Sequence, residues 1–456
     1  MAVLVSTSSH DHTPLLLATL VGLGSGGLVV LFRSGIHLGE HLLGTLSLPP
    51  FGIPILGGVL IALLMIVQQF FKAWRVTPTL MRLGRLAYSL VGSSLSLACG
   101  ASLGPEGPSV ELGSGTGSLI AHGLGLSSQR VTLLIGAGAA AGLAAGFNAP
   151  IAGVFLAVEL VLPQGMTSAS VSVVVLAAVV SAWVATVGLG GSPAFSVPVY
   201  EVPTVWEVPW YIGLGVAACG VAVVFSWLLG WMRWGWSRLP LPFWLKPILG
   251  GLILAWAGSH APLALGIGYE TVESLLQGIP FSPQELSWLL GIKLVLTTIS
   301  QGSGFLGGIF APAIYLGAVL GSLYGQWVSG WVGVTDPPAF AMVGIAAVLA
   351  GTVRAPLTAI LLLLEMTRDY RIVLPVMAAV GLCVWLRERI PVASVYAPPE
   401  IWILNRGANR ETGLPLDQSE IPAPTPPSWW PAPDSLGELA QEAGESTLHP
   451  PPPPLA

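Results

Sequence analysis

The stretch GPEGPSVELGSGTGSL, Gly104–Leu119, returns later in the chain as GIFAPAIYLGAVLGSL, Gly308–Leu323. In both copies glycine and proline stand immediately ahead of an apolar run that is predicted to be helical. Proline is well tolerated in the first turn of a helix, because its missing N–H would be unpaired there anyway. The two copies therefore predict helices that start at about Pro108 and Pro312, with Glu106 and Phe310 just ahead of them.

Two further blocks repeat in the same order. PILGGVLIALL, Pro54–Leu64, returns as PILGGLILAWA, Pro247–Ala257, and FNAPIAGVFLAVEL, Phe147–Leu160, returns as VRAPLTAILLLLEM, Val353–Met366. Three matched blocks at nearly one offset indicate an internal duplication.

The distribution of basic residues predicts that the two halves, residues 15–200 and 209–396, have opposite orientations in a membrane. Four basic residues follow the second span of the first half: Lys72, Arg75, Arg82 and Arg85. The matching stretch of the second half, residues 260–287, contains no Lys or Arg. Because Lys and Arg concentrate on the cytoplasmic side, the matching segments face opposite sides. Inverted repeats with broken helices place the substrate near the midplane, where half-helix ends meet.

The composition is that of an integral membrane protein. Of the 456 residues, 53% are hydrophobic and 9% are charged, whereas a soluble domain has about a quarter charged residues. Much of the apolar sequence is divided by 57 glycines and 39 prolines into pieces shorter than a span. Such pieces are tolerated at membrane depth inside protein or around a polar cavity, which favours a transporter or channel. The clearest predicted spans are Leu15–Phe32, Pro54–Phe71, Ser168–Gly188, Trp210–Trp231 and Ile372–Trp385.

The sequence disfavours an enzyme and a nucleic-acid-binding protein. A membrane hydrolase would need a nucleophile–base pair or a metal motif, and no HExxH occurs. A net charge of -5 opposes contact with nucleic acid. Cys99, Cys219 and Cys383 lie in apolar runs without ligand spacing, so we interpret them as small core residues. We expect no catalytic residue, no metal and no cofactor.

Glu106 is one of few charged residues in a long apolar region. From Leu86 to Tyr200 the other Asp, Glu, Lys and Arg residues are Glu111, Arg130 and Glu159. Two helix N-termini brought together offer unpaired N–H groups and partial positive charge to a small anion. Glu106 would lie in that site as a tethered anion. The alternative is that Glu106 simply caps its own helix.

These motifs resemble the CLC family of chloride channels and chloride/proton antiporters. The family's G(K/R)EGP is similar to GPEGP, Gly104–Pro108, and its GxFxP is similar to GIFAP, Gly308–Pro312. FNAPIAG and RAPLTAILLLLEMT also resemble family stretches. The resemblance implies an all-α integral membrane fold, an inverted repeat of tilted and broken helices with about 17–18 helices per subunit. It also implies a homodimer with an anion pathway in each subunit and both termini cytoplasmic.

The same resemblance implies the site residues. Glu106 matches the gating glutamate, and Ile309 and Phe310 match residues whose backbone amides hold the central anion. Tyr396 matches a tyrosine whose hydroxyl contacts that anion, with an interfacial aromatic as the alternative. The implied anion-binding set comprises Gly104, Pro105, Gly107, Pro108, Gly308, Ile309, Phe310, Ala311 and Tyr396.

Three positions depart from the family pattern. The family's GSGIP, whose serine lines the central site, is missing, and RSGIH at Arg33–His37 lies one helix too early. Arg75 or Thr77 could line the inner mouth instead. Pro105 replaces the basic residue before the gating glutamate. Leu160 occupies the position of the antiporters' internal proton-transfer glutamate, although some antiporters of the family lack it.

We therefore expect anion transport, with a passive chloride channel favoured and a chloride/proton antiporter as the main alternative. A fluoride/proton exporter is a poorer match. The expected partners are chloride or a similar small anion, a lipid bilayer, a second copy of the chain and, for the antiporter, protons. The expected location is the inner or plasma membrane. Residues 1–14 form an N-terminal cytoplasmic segment, and residues 397–456 form a proline-rich, disordered cytoplasmic tail without CBS domains.

Overall fold

The computed structural model describes residues 13–46, 49, 51–73, 78–162, 167–191, 195, 207–332 and 337–390. The chain divides into two units, residues 1–406 and 407–456, and all described residues belong to the first. The predicted tail, residues 397–456, lies outside the described residues, as do Arg75, Thr77 and Tyr396.

The described part of the chain contains fifteen α-helices and no named strand, which confirms the predicted all-α class. A π-helical turn, Ala157–Val161, continues the sixth helix, and a 3₁₀ turn, Pro262–Ala264, precedes the tenth. The helices are α1 Thr13–Thr45, α2 Gly52–Ala73, α3 Pro78–Ala98, α4 Glu106–Gly123, α5 Ser128–Phe147, α6 Pro150–Leu156, α7 Ser168–Leu189, α8 Val208–Arg238, α9 Leu245–His260, α10 Tyr269–Leu276, α11 Pro283–Ser303, α12 Phe310–Val332, α13 Pro337–Val353, α14 Pro356–Thr367 and α15 Val373–Arg389.

Five helices are long and apolar enough to cross a membrane by length and composition: Thr13–Thr45, Gly52–Phe70, Ser128–Phe147, Ser168–Leu189 and Val208–Arg238. Four of them contain predicted spans, although α1 continues well beyond Phe32 and includes Arg33–His37. The fifth, α5, was not predicted because its glycines and alanines lower its hydropathy. It is the most buried of the five, so its small side chains serve close helix packing rather than contact with lipid.

The PILGG copies pack against each other as α2 and α9. A Cβ atom on Gly58 would overlap the carbonyl oxygen of Pro247, and one on Gly251 would overlap that of Pro54. Gly58 and Gly251 are equivalent positions of the repeat, as are Pro54 and Pro247. The contact is therefore reciprocal, and each half contributes the same glycine to it.

The second pair of repeat copies also depends on glycine. A Cβ on Gly113 of α4 would overlap the carbonyl oxygen of Gly138 in α5. In the other half, a Cβ on Gly317 of α12 would lie 2.5 Å from the carbonyl oxygen of Gly344 in α13. Glycine at these positions lets the backbones of each helix pair touch. The contacts fix how α4 packs on α5 and how α12 packs on α13.

Two glutamates join the halves by capping helices of the opposite repeat. Glu159 accepts hydrogen bonds from the backbone N–H groups of Leu357 and Thr358, at 2.8 and 2.9 Å, at the start of α14. Glu365 accepts from Ile151 and Ala152, at 3.0 and 2.7 Å, at the start of α6. A carboxylate at a helix N-terminus satisfies unpaired donors and complements the helix dipole. The two acids thus make reciprocal structural contacts.

Candidate anion site between two helix ends

The loops ahead of α4 and α12 are joined by an antiparallel β-bridge. Gly104 donates its N–H to the carbonyl of Gly308 at 2.9 Å, and Gly308 donates to the carbonyl of Gly104 at 2.6 Å. These bonds hold the two helix starts beside each other. The helices begin at Glu106 and Phe310, two residues before the predicted prolines. The prolines still fit, because the N–H groups of the whole first turn lack helical partners.

Glycine permits this close approach. A Cβ on Gly107, in the first turn of α4, would lie 2.7 Å from the Cα atom of Gly308. That separation is far below ordinary van der Waals contact, so a larger residue at position 107 would force the loops apart. The motif glycines therefore set the distance between the two helix ends.

The side chain of Glu106 reaches across to the opposite helix. Its Oε2 atom accepts a hydrogen bond from the backbone N–H of Ala311 at 3.3 Å, in the first turn of α12. Its Oε1 atom accepts a hydrogen bond from the hydroxyl of Tyr269. Glu106 is fully buried, with 0% of its surface exposed. A buried carboxylate thus lies at the positive end of a helix from the other half.

Tyr269 is a site residue that no sequence motif indicates. It begins α10, directly after a glycine loop in which Gly266 and Gly268 have φ angles of 60° and 85°. Its ring packs edge-on against Phe195, with ring centroids 5.2 Å apart. The GIGYE motif shows that the loop turns sharply, but nothing local in it indicates a partner as distant in sequence as Glu106.

Lys293 fixes the glycine loop that carries Tyr269. Its buried Nζ donates to the carbonyls of Ala264 at 3.1 Å and Gly266 at 2.8 Å. The same ammonium lies 4.7 Å from the ring centroid of Tyr315, a distance at which a cation is attracted to an aromatic face. Lys293 therefore acts on the site through the loop, by holding the turn from which Tyr269 projects.

The geometry combines two facing helix starts, a cross-connected glycine bridge and a buried acid. A family model described as "Voltage gated chloride channel" matches residues 67–388 of the chain. The chain belongs to the voltage gated chloride channel family, CLC. Proteins of this family carry anions across membranes and are transporters rather than enzymes.

Three similar proteins show the extent of the likeness. Chloride channel protein CLC-f of Arabidopsis thaliana is 33% identical over 429 residues, which cover 84% of this chain and 55% of that protein. The H(+)/Cl(-) exchange transporter ClcA of Yersinia pestis is 30% identical over 413 residues, covering 80% of this chain and 83% of the relative. The solved structure of a slow cyanobacterial Cl-/H+ antiporter has a TM-score of 0.75 and 25% identity, covering 86% of this chain and 97% of that one. The chain thus spans little more than half the length of the plant relative.

Most of the residues implied by the CLC resemblance come together at the two helix ends. Gly104 and Gly308 form the bridge, Pro105 precedes α4, and the others lie in the first turns or directly before them. The buried members of this group are Gly104, Pro105, Pro108, Gly308, Ile309, Phe310 and Ala311. Tyr396, Arg75 and Thr77 lie outside the described residues, so their assignments stay predictions.

Leu160 lies apart from the helix ends. It belongs to the π-helical turn Ala157–Val161, is half-buried and packs against the main hydrophobic core. Its neighbour Glu159 is engaged with the start of α14, as described above. A leucine side chain cannot carry a proton, so this position offers no relay group on the CLC scaffold.

Proposed function

We propose that this CLC protein carries chloride, or a similar small monovalent anion, through a pathway that the Glu106 carboxylate blocks at rest. One observation carries the proposal: the carboxylate accepts an N–H from Ala311 on the helix of the opposite half. A negatively charged group then occupies the place that a helix end offers to an anion. When that carboxylate is protonated or displaced, a permeating anion takes its place.

A site built from backbone amides suits conduction. Binding must be favourable enough for an anion to enter and weak enough for it to leave. Peptide N–H groups and a helix dipole can meet both conditions, because they carry only partial positive charge. Ile309, Phe310 and Ala311 provide amides at the start of α12, with Gly107 and Pro108 lining the opposite helix, and Tyr396 is proposed as a further contact.

We favour a passive channel over a coupled exchanger. Leu160 supports this reading, because the side chain at that position has no group that could exchange a proton. The exchanger remains the second candidate, since the cyanobacterial relative and the Yersinia pestis relative are named as chloride/proton antiporters. A homodimer, with one pathway in each subunit, is part of the same proposal.

The test is to purify the protein, place it in liposomes and record chloride efflux and proton uptake together. We expect chloride efflux above that of empty liposomes and no proton accumulation against a gradient. Uphill proton movement driven by a chloride gradient would contradict the channel hypothesis and support the exchanger. A complete lack of anion flux, with folded protein in the vesicles, would refute both.

A further inference from the structure

Arg33 of α1 lies at the same level as Glu106 in the bundle. Helices α1 and α4 run antiparallel: Gly24 lies against Thr116, and the hydroxyl of Ser25 donates to the carbonyl of Gly113 at 3.5 Å. Going from Ser25 to Arg33 and from Gly113 back to Glu106 covers nearly the same number of residues, about 11–12 Å at the helical rise. The helix register therefore places Arg33 level with the start of α4.

The contacts of Arg33 agree with this placement. Its Nη2 atom donates a hydrogen bond to the carbonyl of Gly146, in the last turn of α5. The positive charge of the guanidinium also acts on the carboxylate of Glu106. Arg33 forms no ion pair with any carboxylate among the described residues, whose ion pairs are His37–Glu40 and Arg371–Asp369.

Part of the guanidinium has no partner within the described structure. The Nε atom of Arg33 is buried and makes no hydrogen bond there. A buried donor without a partner is unfavourable, because it has given up its hydrogen bonds to water without replacing them. Capping of α5 through Gly146 explains the Nη2 contact, but it does not explain the second buried donor, Nε. The remaining donor and the positive charge fit a ligand that carries negative charge.

We propose that Arg33 is an anion-binding contact of this pathway: its guanidinium attracts the permeating anion and stabilises it in the place that the Glu106 carboxylate vacates. This inference rests on the proposed function and adds a residue to the same site. It also accounts for Pro105. The positive charge that the family pattern carries directly before the glutamate is supplied here from α1, across the site rather than along the chain.

The experiment compares the chloride dependence of flux in liposomes for the wild-type protein, Arg33→Gln, Arg33→Lys and Arg130→Gln. For Arg33→Gln we expect the chloride concentration at half-maximal flux to rise about tenfold, because the variant removes a positive charge that attracts the anion in a partly buried site. Arg33→Lys keeps the charge and should recover most of the affinity. Arg130 is exposed and lies in the first turn of α5, at the opposite end from Gly146. Arg130→Gln should therefore leave the chloride concentration at half-maximal flux unchanged.

The same measurement in a Glu106→Ala background separates contact with the anion from contact with the carboxylate. The effect of Arg33→Gln on half-maximal chloride should persist there. A loss of the effect would mean that Arg33 acts on Glu106 and would overturn the inference. So would a fall in maximal flux at unchanged half-maximal chloride, which is the result expected of a helix cap alone. If the wild-type protein itself shows no flux, the proposed function fails instead.

A second variant covers the case in which Arg33→Gln does not fold. Arg33→Cys can be modified in the vesicles with a positively or a negatively charged thiol reagent, because Cys99, Cys219 and Cys383 are all buried. The positive adduct should lower half-maximal chloride and the negative adduct should raise it, within one folded sample. Equal effects of the two reagents would contradict the inference.

Discussion

Gly104 and Gly308 exchange a pair of backbone hydrogen bonds, so the two loops that open α4 and α12 form one unit. The two helix starts therefore keep a fixed spacing, and a group that lies between them contacts both helix ends. Under the proposed gating, movement of the Glu106 side chain is therefore a smaller change than movement of the helices.

Replacing Gly107 by alanine should separate these loops. The new Cβ would lie 2.7 Å from the Cα atom of Gly308, and overpacking of this kind costs about 1–3 kcal/mol. We expect a lower thermal midpoint in detergent and reduced anion flux at equal protein content. Gly220→Ala is the matched control, because Gly220 lies within α8 and a Cβ there meets nothing within 4 Å. Unchanged flux in Gly107→Ala would show that the spacing of the loops is not limiting.

Glu106→Gln should remove the pH dependence of anion flux. In the wild-type protein flux should rise as the pH falls, because a protonated carboxyl loses its hold as an anion in the helix-end site. Glutamine resembles the protonated form at every pH. We therefore expect the flux of the variant at neutral pH to match or exceed that of the wild type at acidic pH.

The measurement is chloride efflux from liposomes across a range of pH, with Glu111→Gln as a control. Glu111 is a nearby acid on α4 that accepts a hydrogen bond from Ser89. A wild-type pH profile in Glu106→Gln would remove Glu106 from the gating role.

Tyr269→Phe should favour displacement of the glutamate. The substitution keeps the ring that packs on Phe195 and deletes the hydroxyl that donates to Glu106. A hydrogen bond to a charged group contributes about 1.5–3 kcal/mol, so we expect the blocked state to lose about tenfold or more in relative population. The readout is chloride flux near neutral pH. Tyr315→Phe, which removes a hydroxyl bonded to the carbonyl of Leu263 at 3.2 Å, should leave flux unchanged.

Glu159→Gln and Glu365→Gln should lower stability by similar amounts. Each carboxylate caps a helix of the opposite half, and loss of such a cap costs about 0.5–2 kcal/mol. Thermal unfolding in detergent measures the effect, with the exposed Glu270→Gln as a control. If Glu159→Gln changes proton movement in liposomes while stability is unaltered, the structural role assigned to Glu159 is wrong.

The repeat pattern predicted the two helix starts to within two residues and the facing of the two loops. These features follow from glycine and proline at matched positions, because the backbone conformations they allow are local properties. The pairing of Glu106 with Tyr269, and the position of Arg33 beside both, could not be predicted from local sequence. They depend on how α1 and the loop before α10 pack around the Gly104–Gly308 bridge. A sequence pattern within one segment does not predict its contacts with a distant segment. The span α5 was not predicted for a related reason. Its Gly- and Ala-rich sequence packs against other helices rather than against lipid, so its hydropathy is low for a span.

The crossed caps of Glu159 and Glu365 also constrain how the protein is made. Ile151 and Glu365 are 214 residues apart, so the start of α6 waits for its cap about 10–40 s at a synthesis rate of 5–20 residues per second. During that time the first half has been synthesised, but Glu365, which caps its helix α6, has not. Neither half contains its own capping glutamate for these helices, so a stable product requires both halves in one membrane at once.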